Sequence, residues 1–192
     1  MSSGLVPGLT RSMTYQVLPR DLVTTLFSGA PEFARKPAVL ATGILVALCE
    51  WPVMDALRQF LGEDQDSLGI GVRLCHQAPV RAGTTLTITA CCASVTGRVS
   101  RWNVRADDHR QTVARGWTEF AVVRTAVFLQ RHRITPATDP TLPHGSYPSY
   151  SHRQHNVQDN PQADELPREQ PSPPDGSHLA GIPARRAARP RR

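Results

Sequence analysis

The window Ala41-Thr-Gly-Ile-Leu-Val-Ala-Leu-Cys-Glu-Trp51 places one carboxylate inside an otherwise largely apolar stretch. A run this apolar predicts a helix buried on most of its surface, not an amphipathic surface helix. Ionised side chains are almost never fully buried without a partner. Glu50 therefore either reaches the helix edge and meets an arginine, or is served by groups from another segment. Ser67-Leu-Gly-Ile-Gly-Val-Arg-Leu-Cys-His76 offers the residue types that could serve it. Thr42 reads as the N-cap of this central helix, which runs toward Leu61. Pro52 removes one backbone donor inside it, which predicts a kink just after Glu50.

What surrounds the helix reads mostly as strand. Met13–Leu18 suits a strand that Pro19 ends, and Arg20–Phe27 has apolar residues at helical spacing. Ser28-Gly-Ala-Pro31 is a turn signal, and Glu32–Pro37 reads as a loop lying across something, with Phe33 as its apolar contact. Four strand-like segments follow at Leu68–Val80, Thr84–Val95, Arg98–Asp107 and Gln111–Val123. Turns at Arg81-Ala-Gly83, Thr96-Gly97 and Asp107-Asp-His109 fit hairpins between antiparallel neighbours. Together these predict an α+β, hot-dog-like architecture, a curved antiparallel sheet wrapped round one long central helix. So small a sheet leaves edges, and homodimerisation is expected.

Composition sets the limits of the domain. The C-terminal 61 residues hold 11 of the 17 prolines, five of the seven histidines and few large apolar side chains. Such a segment cannot bury enough surface to offset the entropy of ordering. Residues 1–131 are thus expected to form one domain, and residues 132–192 a Pro/Arg-rich disordered tail. The chain opens with no charged start or long apolar run of the secretory kind, and no stretch is long enough to span a bilayer. Its four cysteines lack CxxC spacing and fall in core-like segments, so reduced thiols in a cytoplasm are expected, not zinc or disulfides. The basic end Arg185–Arg192 could touch nucleic acid, but 21 of the 22 basic residues are arginine and few aromatics accompany them. The expectation is a solvated end.

Only two histidines precede the tail, and His109 falls in an acidic turn. His76 lies in a strand-like segment approached through Gly69 and Gly71. Glycines let a substrate come close to backbone N–H groups, as an oxyanion requires. Ser28–Phe33, Ala41-Thr-Gly43, Leu48-Cys-Glu-Trp51, Ser67-Leu-Gly69, His76 and Ala114–Glu119, in this order and spacing, resemble the fluoroacetyl-CoA thioesterases of the hot-dog fold. The resemblance covers about residues 13–130. It implies a catalytic set of Thr42, Glu50 and His76, and a backbone group of Gly69 near the thioester carbonyl. It also implies a lid of Phe33 with Val23 and Leu26, an acyl-CoA substrate, a homodimer, and neither metal nor cofactor. Glu50 would be general base or nucleophile, His76 acid/base, and Thr42 a positioning hydroxyl. In one straight helix Thr42 and Glu50 lie about 12 Å apart and cannot touch. Two departures stand out: Lys36 where the fluoroacetyl-specialised pattern has a second lid phenylalanine, and Phe120 where it has arginine. They favour thioesterase chemistry on a short acyl group without fluoroacetyl selectivity. The alternative is a non-catalytic hot-dog module that binds an acyl-CoA or a protein partner.

Overall fold

The computed structural model describes residues 4–27 and 29–135. Strand β1 (Thr10–Gln16) leads through two short 3-10 turns to the helical turn α1 (Pro31–Ala34) and the long helix α2 (Thr42–Arg58). Strands β2 (Gln65–His76), β3 (Thr85–Thr96), β4 (Val99–Asp107) and β5 (Thr112–Arg124) follow, then helix α3 (Thr125–His132). The strands form one five-stranded sheet in the order β1-β3-β4-β5-β2, antiparallel throughout. This is the expected hot-dog arrangement.

Alternation along the strands explains the wrap. Leu86, Ile88, Ala90 and Cys92 of β3 and Trp102, Val104 and Ala106 of β4 are buried, while Thr85, Thr87, Arg101 and Arg105 between them are exposed. The buried face meets Leu45, Leu48, Cys49, Val53, Ala56 and Leu57 of α2 in one core. Each fully buried large side chain there contributes about 1.5–3 kcal/mol. Trp102 keeps its indole N–H satisfied by donating to Ser100 Oγ, 2.9 Å away. Pro52 sits inside α2 and is itself buried, and the helix runs unbroken to Arg58.

The structure departs from the sequence expectation in four places. The turn at Arg81–Gly83 does not join neighbours, because β2 pairs with β5 at one edge and β3 pairs with β1 toward the other. Pro79 lacks an amide donor, and residues 77–80 spend their bonds elsewhere: Gln77 N–H donates to Val113 O, and Val80 O accepts from Leu40 N–H. Arg20–Phe27 is not one helix, because Leu22 is extended and bridges Leu40, leaving a 3-10 turn on either side. Tertiary pairing there overrides helical periodicity. Helix α3 has no counterpart in the expectation; its start is held by Thr125 N–H donating to Asp64 O. Finally, Cys49 and Cys92 are buried but Cys75 is exposed and Cys91 half-buried; all four are free. Most of the anticipated tail lies outside the described residues, as do its basic end and Ser28.

Candidate functional site

Two hydrogen-bonded joints set the start of α2. Val23 N–H donates to Val39 O at 2.9 Å, and Ala41 N–H to Asp21 O at 3.0 Å. Asp21 is buried, and its carboxylate accepts from Tyr15 Oη at 2.7 Å and from Leu18 N–H at 2.8 Å. Burial, reinforced by that carboxylate, pushes the Tyr15 phenol up to about 12. Asp21 thereby pins the residue that precedes Thr42.

Thr42 is the first residue of α2, and Ala41, not Thr42, is its N-cap. The hydroxyl that would have capped the helix is used across the chain instead. Thr42 Oγ1 lies 3.0 Å from Nδ1 of His76, at the last position of β2. The other ring nitrogen of His76, Nε2, is buried and has no hydrogen-bond partner among the described residues. A buried polar atom left unsatisfied costs stability unless something outside the chain satisfies it.

This pair forms part of the wall of a cleft of about 360 Å³, to which Val23, Lys36, Val39 and Pro79 also contribute. Leu40, Ala78 and neighbouring residues complete the wall; the sequence carries no local signal for them, because tertiary bridges bring them there. Of the four residues expected to face the acyl group, Lys36 and Val23 stand in this wall. Phe33 and Leu26 are not in the wall. Phe33 packs edge-on against Phe27, with ring centroids 4.9 Å apart, and Leu26 is half-buried beside that pair.

Glu50 stands apart from this cleft, two turns further along α2. Its carboxylate faces Gly69: a Cβ built on Gly69 would come within 2.9 Å of Oε1. Only glycine leaves room for that carboxylate in its present position. The approach is set by a β-bulge between Gly69 and Gly71, where Ile70 has no register partner on β5. Glu50 is half-buried, and burial raises its carboxyl above the ordinary glutamate value. No arginine or lysine among the described residues pairs with it. Among the described residues, then, the carboxylate meets Gly69 and no arginine.

Of the residues singled out in the sequence, the structure brings Thr42, His76, Lys36 and Val23 together, and separately brings Glu50 to Gly69. Phe120, one of the two departures noted above, is buried in the core and lies opposite Gly69 in the β2–β5 register. His109 is exposed, as expected. Among the described residues no three His, Cys, Asp or Glu side chains cluster in a way that would hold a metal ion.

Comparison with known proteins agrees with the fold. The fluoroacetyl-CoA-specific thioesterase family, FlK, matches residues 24–126. The fluoroacetyl-CoA thioesterase of Streptantibioticus cattleyicolor is 36% identical over 138 residues, covering 71% of this chain and 99% of that protein. A solved structure of the fluoroacetyl-CoA thioesterase superposes with a TM-score of 0.66 at 34% identity, covering 68% of this chain and 97% of the other. A hot-dog-like protein from Thermanaerovibrio acidaminovorans follows with a TM-score of 0.57 at 25% identity, covering 66% and 90%. The fold, the order of motifs and these matches agree, and the chain belongs to the fluoroacetyl-CoA-specific thioesterase family.

Proposed function

We propose that the protein hydrolyses a short acyl-CoA thioester to the free acid and CoA, with Thr42, Glu50 and His76 as its catalytic set. The observation that carries this reading is the Thr42–His76 pair, 3.0 Å apart in the wall of a cleft, with an unsatisfied buried nitrogen on the same ring. Thioester hydrolysis needs an attacking oxygen, a place for negative charge on the carbonyl oxygen, and little assistance for the leaving thiolate. Glu50 supplies the attack, either by removing a proton from the water that adds to the carbonyl, or by adding to the carbonyl itself to form an anhydride that water then hydrolyses, releasing the acid and restoring Glu50. Burial raises its carboxyl pKa, the direction that makes a carboxylate a stronger base. The backbone N–H of Gly69 donates a hydrogen bond to the developing oxyanion. The C–S bond then breaks, and the CoA thiolate takes a proton delivered by His76 while Thr42 holds the ring. The reaction calls for no metal or cofactor.

Two further readings belong with this one. The chain works as a homodimer. Strand β2 is a sheet edge with Ile70 56% and Val72 46% exposed, and an uncovered apolar edge favours pairing with another copy. The face of α2 that carries exposed Gly43, Ala47 and Met54 is small enough for a second α2 to approach. Thr42 and Glu50 each lie four residues from Val46. Two antiparallel α2 helices crossing there bring the Glu50 of one copy toward the Thr42–His76 pair of the other. The chain also fits a reducing cytoplasm, given four unpaired cysteines; no described helix is long and apolar enough to cross a membrane. The fluoroacetyl preference of the relative is not extended to this chain, because Lys36 puts a cation into the cleft wall.

The test is steady-state thiol release from acetyl-, fluoroacetyl-, malonyl- and medium-chain acyl-CoA, with wild type, Glu50→Ala and His76→Ala side by side. Turnover that falls by about two orders of magnitude or more in both variants, the scale of a lost acid/base group, supports the reading. Saturable binding of an ester with no turnover of any of them would replace it with the binding-module alternative.

A further inference from the structure

Lys36 is the one lysine of a chain whose other 21 basic residues are arginine, and it stands in the wall of the cleft that holds Thr42 and His76. Around it that wall is mainly apolar, built from Val23, Val39, Ala78 and Pro79, and it contains no carboxylate. None of the described acidic side chains pairs with Lys36. Its backbone is fixed, because Lys36 N–H donates to Phe33 O at 3.1 Å at the end of α1, so the ammonium stem starts from a defined place on the lid. An ammonium is a compact charge on a flexible stem that can follow an anion of modest size.

We propose that Lys36 selects acyl-CoA esters whose acyl group ends in a carboxylate, with malonyl and succinyl as the class. The inference rests on the thioesterase reading of the cleft and names its substrate. Two sources of negative charge compete for this cation, the far end of a short dicarboxylic acyl group and the phosphates of CoA. Cleft size favours the first. A sphere of 360 Å³ is about 9 Å across, at the small end for ligand pockets. The long pantetheine arm carries the phosphates beyond so short a reach from the thioester, whereas the carboxylate of a short dicarboxylic acyl group stays within it. A neutral acyl group of the same length would leave the ammonium to water and gain nothing from it.

The experiment compares kcat/KM for malonyl- and succinyl-CoA with that for propionyl- and butyryl-CoA in wild type, Lys36→Met and Lys36→Arg. Lys36→Met keeps most of the unbranched stem, one atom shorter, and removes its charge. The expected result is a loss of about tenfold on the anionic esters in Lys36→Met, the lower end for a hydrogen bond to a charged group in a site open to water. The neutral esters change less than about twofold, and Lys36→Arg recovers much of the anionic preference. Equal losses on anionic and neutral esters would assign Lys36 to a CoA phosphate and overturn the proposal. No change on either would make it a solvated lysine and overturn it as well. If wild type hydrolyses neither these four nor the acetyl-, fluoroacetyl- and medium-chain esters, the thioesterase reading fails separately. Lys36 is then judged by the dissociation constants of malonyl- and propionyl-CoA for wild type and Lys36→Met. A preference for malonyl-CoA that Lys36→Met abolishes sustains it, and equal constants refute it.

Discussion

Mixing two inactive variants tests whether the site is shared between copies. Thr42 and Glu50 lie in one unbroken helix, eight residues apart, which is about 12 Å of axial rise. Acid/base groups act over hydrogen-bond distances of about 3 Å, so this rise makes a second copy the candidate source of the Glu50 that serves a given Thr42–His76 pair. In the proposed dimer, with two antiparallel helices crossing near Val46, the second copy would close that 12 Å. Co-expressing a Glu50→Ala chain and a His76→Ala chain under different affinity tags, then purifying through both, isolates the mixed dimer. If sites are shared, the mixed dimer holds one site with both defects and one with neither. Its thiol release should be about half that of wild type, although each parent dimer is inactive. Activity of the mixed dimer no higher than that of the parents would refute the reasoning, because it would mean that each chain assembles its site alone.

Two further outcomes follow from the Glu50–Gly69 approach. Gly69→Ala forces a Cβ against Glu50 Oε1, the far end of a flexible side chain, so the carboxylate moves and the fold survives. Its kcat should drop by about tenfold or more with a melting temperature within a few degrees of wild type, and an unchanged kcat would show that the carboxylate position is immaterial. Glu50→Gln should make the protein more stable at neutral pH. Burial raises the folded carboxyl pKa, so above the ordinary glutamate range the unfolded chain releases this proton more readily, and ionisation costs the fold stability as pH rises. Thermal melts of both proteins should therefore coincide near pH 4 and separate by pH 7 in favour of Glu50→Gln. The same shift moves the acid limb of kcat/KM for the wild type above the usual glutamate value.

The period of the strands and the single apolar helix carried the architecture, and element ends came within a few residues. The error over β2 and β3 has a physical origin. A turn signal such as Arg81-Ala-Gly83 specifies a reversal of the chain, but not whether the returning strand pairs with its predecessor. Sheet order followed from where Leu40, Val113 and Val17 offered hydrogen bonds to residues 77–84, and no local window contains that. The role of Thr42 was half legible. A threonine before an apolar run signals a cap, and only the arrival of His76 at the end of β2 takes its hydroxyl away. Glu50 was legible as an anomaly because a carboxylate in an apolar window demands an account, and Gly69 supplied it through the bulge. Helix α3 was missed because its polarity and basic last turn resemble the start of the tail.

The joint at Leu22 and Leu40, with Val23 hydrogen-bonded to Val39, makes the segment between them a closed loop whose two ends are tied to each other. Thr42 lies outside the tie, and Phe33 and Lys36 lie inside it. Substitutions within the loop can reshape the cleft wall at Lys36, while the tie shields the start of α2 from the change. The Thr42–His76 geometry is thereby insulated from changes of sequence in the segment.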